Sequence, residues 1–178
     1  MKFWPALAGA MMALTLGGCA STSSVVMHQT LGGPKVAILP LEGPLGAQAV
    51  DFLSSELGDK GIAVVERAKL IPLIAVDTDL SPTSPAAVQS FARYGEALDV
   101  RYLFAGTVSA VPGPLYSYPH VNMTLRLIDV RSGQTVWLGR YGNPLWSSAI
   151  STQGDVQRGA RDLVAEFVKV GGLALLAK

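Results

Sequence analysis

From Lys35 onward the hydrophobic positions change period several times, and each change marks an element. Val36-Ala37-Ile38-Leu39 is a short continuous apolar run between Pro34 and Pro40, the pattern of a strand buried on both faces. Ala49, Val50, Leu53 and Leu57 then recur at helical spacing, with Asp51, Glu56 and Lys60 elsewhere on the wheel. Gly61 ends that helix, and Ile62 to Val65 predict a second strand. A helix is expected from about Arg67, with Pro72 near its first turn, where a missing N–H costs least. Ser81 to Ser84 is loop. Ser84-Pro85 then opens a helix whose inner stripe is read as Val88, Phe91, Ala92, Gly95 and Leu98.

The second half turns to strands. Tyr102 to Val108 predicts a third strand, and the prolines of residues 112–119 mark a loop. From there the alternation is strict: Val121, Met123, Leu125 and Leu127 face one way, and Asn122, Thr124 and Arg126 face the other. Such a strand is antiparallel, with one side wetter than the other. Arg131 to Gln134 is a turn, and Thr135 to Tyr141 pairs back as a hairpin. Val156, Ala160, Leu163 and Phe167 mark a last helix, opened by Thr152 with Asp155 three positions on. Gly171-Gly172 ends or bends it, leaving an apolar tail. The order βαβααβββα predicts a single α/β domain, a mixed β-sheet covered by helices, over residues 35–178.

Residues 1–34 follow other rules. Lys2 gives a positive start, Phe3 to Leu16 is apolar, and Gly17-Gly18 precede Cys19, the one cysteine of 178 residues. A lone thiol cannot close an internal disulfide. With only two histidines, His28 and His120, a metal site lacks ligands. A catalytic thiol wants a base held beside it, whereas Cys19 precedes every folded pattern. The apolar stretch has signal-peptide length and is shorter than the ~20 residues that cross a bilayer. Leu16-Gly17-Gly18-Cys19 resembles the bacterial lipobox, which implies cleavage before Cys19 and acylation of its thiol, palmitate among the chains. An ordinary signal peptide and an uncleaved anchor are the alternatives. Ala20, where an aspartate would hold such a protein in the inner membrane, implies an outer-membrane lipid anchor with the head in the periplasm. The expected domains are then a signal peptide over 1–18, a flexible tether over 19–34, rich in small polar residues, and the α/β head.

Composition bears on function mainly by exclusion. Removing residues 1–18 takes away Lys2 and no acid, which leaves basic and acidic side chains in balance. Nucleic-acid binding usually demands a basic face and is not expected. The mean hydropathy of +0.36 partly reflects the signal segment. No catalytic elbow, zinc helix or Walker-type loop occurs, so no enzyme, metal or cofactor is expected. Glu42-Gly-Pro-Leu-Gly46 lacks a dinucleotide fingerprint. Glu42 and Asp51 read as exposed acids near a helix start, and Trp137 reads as a core or sheet-face side chain. Glu66, Arg67 and Asp129 suit ion pairing or capping, with a partner surface as the alternative.

Four blocks carry a family resemblance: Lys35-Val-Ala-Ile-Leu-Pro40, Gly61-Ile-Ala-Val-Val-Glu-Arg67, the run from Leu98 to Val108, and Leu125 to Trp137 with its Asp129 and Gly133. In this order they resemble the periplasmic domain of the curli production assembly/transport lipoproteins (CsgG-type). Related domains occur at the amino-terminal part of TolB and in lipoprotein activators of penicillin-binding proteins. The resemblance implies this fold, a periplasmic address and a role in envelope assembly or secretion. Curli channels insert long hairpins, and two per subunit would add on the order of 40 residues. Residues 112–119 leave no such room. The expected function is therefore non-catalytic docking on an envelope protein, with Tyr116, Tyr118, His120 and Trp146 as candidate contacts. Covering the sheet end is an equal reading of those four. Activation of a peptidoglycan synthase, or an export channel built as a homo-oligomer, are the alternatives.

Overall fold

The computed structural model describes residues 33–65, 67–74, 85–111, 119–143 and 151–177. The elements are β1 (Lys35–Ile38), α1 (Gly46–Asp59), β2 (Ala63–Val64), α2 (Arg67–Ile74), α3 (Pro85–Leu98), β3 (Tyr102–Val111), β4 (His120–Asp129), β5 (Gln134–Gly142), α4 (Thr152–Lys169) and α5 (Gly172–Leu176). The strands form one mixed sheet in the order β2-β1-β3-β4-β5. β1 runs parallel to both β2 and β3, whereas β4 and β5 follow as antiparallel neighbours.

The alternation of side chains divides the core in two. Val36, Ile38, Tyr102, Phe104, Met123, Leu125 and Leu127 point to one face, where Leu53 and Leu57 of α1 and Leu163 and Phe167 of α4 cover them. Ala37, Leu39, Leu103, Ala105 and Ile128 point to the other, against Leu70, Phe91, Tyr94 and Leu98. β1 is apolar at successive positions because both of its faces are covered. Phe104, Trp137 and Phe167 meet edge to face at 5.1–6.3 Å between ring centres, an arrangement worth about 0.5–1.5 kcal/mol per pair beyond burial. Gly159 lets α4 approach the sheet: a Cβ there would lie 2.6 Å from Met123 Sδ and 2.7 Å from Tyr141 Cδ1.

Several expectations are corrected by packing. Pro72 sits inside α2 rather than in its first turn; the helix is short and Pro72 faces solvent, so its ring meets no core atom. Ala92 of the expected α3 stripe is exposed, and Tyr94 takes the buried place. The buried positions 91, 94, 95 and 98 form the tighter helical stripe. The strand expected over Ile62 to Val65 pairs only at Ala63 and Val64, and the apolar tail closes as α5. Ser151, not Thr152, caps α4: its hydroxyl accepts from the Gly154 N–H at 3.1 Å. Asp155 is buried and does not reach back to the cap. No helix among the described residues is long and apolar enough to cross a membrane.

Candidate functional site

The end of β3, the start of β4, the end of β5 and the start of α4 meet at one corner of the sheet, and Asn143 joins them. Its Oδ1 accepts the Val121 N–H at 2.9 Å, and its Nδ2 donates to the Pro119 carbonyl at 3.5 Å and to Asp155 Oδ2 at 2.9 Å. The Asn143 N–H donates to the Val121 carbonyl at 3.2 Å, which extends the β4–β5 ladder by one residue. Asp155, in the first turn of α4, is fully buried there, at the helix end where a negative side chain is favoured.

Two polar atoms of this corner, Tyr141 Oη and Asp155 Oδ1, are buried without a protein partner. Burial pushes the Tyr141 phenol up from its usual pKa, and the Asp155 charge adds to the shift, while Arg158 opposes it. The phenol is therefore neutral at any ordinary pH. The Asn143 bonds tie the start of β4 to the start of α4 at this corner.

His120 begins β4 opposite Val111 and is half-buried at this corner. Tyr116, Tyr118, Trp146 and Cys19 lie outside the described residues, as do Glu66 and the Arg67 side chain. The residues that flank them are informative. Val111 and His120 pair directly, and Asn143 bonds to both Val121 and Asp155. The chain thus leaves and re-enters this corner on either side of residues 112–118 and again of residues 144–150. Sequence reasoning names the aromatics, and Asp155 only as a cap residue; it does not name Asn143, which bonds to Asp155 at the corner. An asparagine before Pro144 and an aspartate in a helix's first turn read only as turn and cap signals.

Of the other residues that the sequence singles out, Asp129 and Trp137 make contacts within the fold. Asp129 accepts from Arg101 Nε and Nη2, both at 3.2 Å, and from the Arg131 N–H at 2.9 Å. Burial would raise its pKa, but the Arg131 N–H, the Arg101 guanidinium and the Ser132 N–H outweigh that and hold it below its usual value. Trp137 packs half-buried against Phe104 and Phe167. Glu42 and Asp51 are exposed and form no pair with each other. In the loop after β1, the Glu42 N–H donates to Gly106 O at 3.0 Å and the Val108 N–H donates to Glu42 O at 2.7 Å. Gly43 has φ +106, and a Cβ would stand 1.9 Å from Val108 O. Its glycine serves a close backbone approach rather than a phosphate cradle.

At the opposite end of the sheet a groove of about 750 Å³ is lined by Lys35, Glu96, Asp99, Arg101, Tyr102 and Arg131 among others. Some of its charges are paired: Lys35 Nζ donates to Leu98 O at 2.7 Å and lies 3.7 Å from Asp99, and Arg101 is held by Asp129. No group of three metal-ligating side chains occurs among the described residues.

These features define a single helix-covered, mixed-sheet α/β domain. Neither a protein-family model nor a curated protein sequence matches the chain. Among solved structures it is similar to the hypothetical protein CT253 from Chlamydia trachomatis, at 14% identity and a TM-score of 0.50 over 81% of this chain and 98% of that one. Lipoprotein GNA1162 from Neisseria meningitidis aligns at 15% identity and 0.49, over 80% and 96%. The LpoB C-terminal domain from Escherichia coli aligns at 17% and 0.44, over 63% and 83%. At such identities the likeness is one of fold.

Proposed function

We propose that the chain is a non-catalytic lipoprotein of the bacterial envelope, anchored through Cys19 to the outer membrane, whose periplasmic head docks on a protein partner. The observation that carries this reading is the corner built by Val111, His120, Asn143 and Ser151, from which both aromatic-bearing segments depart and to which both return. Rigid aromatics on a fixed frame are the usual anchors of protein interfaces. The Asn143–Asp155 bond supplies that frame.

The test is crosslinking in intact envelopes followed by co-purification. A variant carrying Tyr116→Ala, Tyr118→Ala and Trp146→Ala is expected to fold and localise normally and to lose its envelope partner. Undiminished capture by that variant would contradict the docking corner. A penicillin-binding protein as the captured partner would assign the activator role; a fibre subunit would assign secretion. The export-channel alternative requires conductance by purified protein in planar bilayers, and none is expected.

A further inference from the structure

On the second face of the sheet, cover among the described residues reaches Leu103, Ala105 and Ile128 and stops there. Thr107, Asn122 and Arg140 stand exposed on this face, with Thr124 and Arg126 half-exposed between them. The register sets Thr107, Thr124 and Arg140 side by side in one row and Ala105, Arg126 and Leu138 in the next. Neither Arg126 nor Arg140 has an ion pair or hydrogen bond among the described residues. The nearest acid in these rows is Glu42, which bridges to Thr107. It stands three strand spacings from Arg140, about 14 Å. The β4–β5 half of the face is therefore cationic.

β5 also closes the sheet on this side, and no strand among the described residues pairs with its outer edge. That edge is nine residues long. It carries two apolar side chains open to solvent, Val136 at 40% and Leu138 at 46% exposure. A register shift between Leu127 and Ile128 sets Val136 as the extra residue of a bulge. Long edges with exposed apolar residues are sites where an extended chain can add as a further strand.

We propose that β5 receives an extended acidic segment of a partner protein as a sixth, antiparallel strand. One of its carboxylates would face Arg140, and apolar side chains would face Leu138 and Val136. Directly opposed residues of unlike charge favour such pairing. A second copy of this chain is disfavoured as the occupant, because self-pairing would bring four guanidiniums, two from each copy, onto one continuous face. A phosphate-bearing surface would leave Val136, Leu138 and the backbone edge unused. The corner aromatics are not needed for this contact, so it stands or falls separately from the docking corner.

The experiment measures backbone amide exchange in the detergent-solubilised full chain, with and without synthetic peptides. The probe is Thr-Glu-Thr-Leu-Thr-Val-Thr, and the control replaces its glutamate by lysine. Exchange within Gln134–Gly142 is expected to slow at least tenfold with the acidic peptide and not with the basic one. Arg140→Glu is expected to reverse that preference. Arg140 is exposed, so the variant should fold. No slowing at millimolar peptide would overturn the proposal and leave Arg140 as a plain guard of the edge. Equal slowing by both peptides would also overturn it. So would slowing that needs no peptide and grows with protein concentration, the mark of a second copy.

Discussion

Asp129 ends β4 with one carboxylate oxygen on Arg101 and the other on the Arg131 N–H. Its pKa lies below the ordinary 3.8 despite burial. Stability from a depressed carboxylate is present above the unfolded value and is lost as pH falls through the folded one. Asp129→Asn is therefore expected to be less stable at pH 7 by about 1–3 kcal/mol. Urea unfolding should show that deficit shrinking below the ordinary carboxylate range. At the opposite corner the expected signs differ. Tyr141→Phe removes a buried hydroxyl with no partner and should be neutral or stabilising by up to ~1 kcal/mol. Asp155→Ala strands the Asn143 amide and should cost about 1–3 kcal/mol. Asp99 ends α3 at φ +52, a conformation that favours glycine. Its pair with Lys35 is solvent-exposed and contributes little. Asp99→Gly should raise the melting temperature, by about 1 kcal/mol in stability.

At the scale of elements, the alternation of β4 was the most legible signal. Val121, Met123, Leu125 and Leu127 all reach the core because α4 covers that side alone. Phe167→Ala should then cost about 3–5 kcal/mol, since the same side chain contacts Phe104 and Trp137. Elements whose limits are set by tertiary pairing were harder to read. β2 is only two residues long and pairs with β1 at Ala63 and Val64. A phenol on a helix reads as amphipathic and alanine suits any helix face, so the apolar pattern points to Ala92 where the structure buries Tyr94. The capping pair fell on Ser151 and Gly154 rather than Thr152 and Asp155. Asp155 is drawn inward by Asn143, twelve residues back, a contact no local pattern encodes. Of the candidate contacts only His120 is among the described residues; the corner holding it depends on pairings across three strands and a helix.

For the whole molecule, the sequence order of elements does not reveal that β1 lies between β2 and β3, with covering helices on both faces there. That arrangement leaves Thr107, Asn122 and Arg140 exposed on one face, and no described strand pairs with the outer edge of β5. The loop after β1 is fixed against β3, so Gly43→Ala should lower stability by at least about 2 kcal/mol. That loss would show as an earlier unfolding midpoint with no loss of any ligand. The proposed role places this head at the membrane through Cys19. Intact-mass and peptide mass spectrometry on protein extracted from bacterial envelopes tests that most directly. The account expects a chain that begins at Cys19 and bears a diacylglycerol thioether with an acylated amine. A chain that still begins at Met1, or one with a free Cys19 thiol recovered from the soluble fraction, would contradict it.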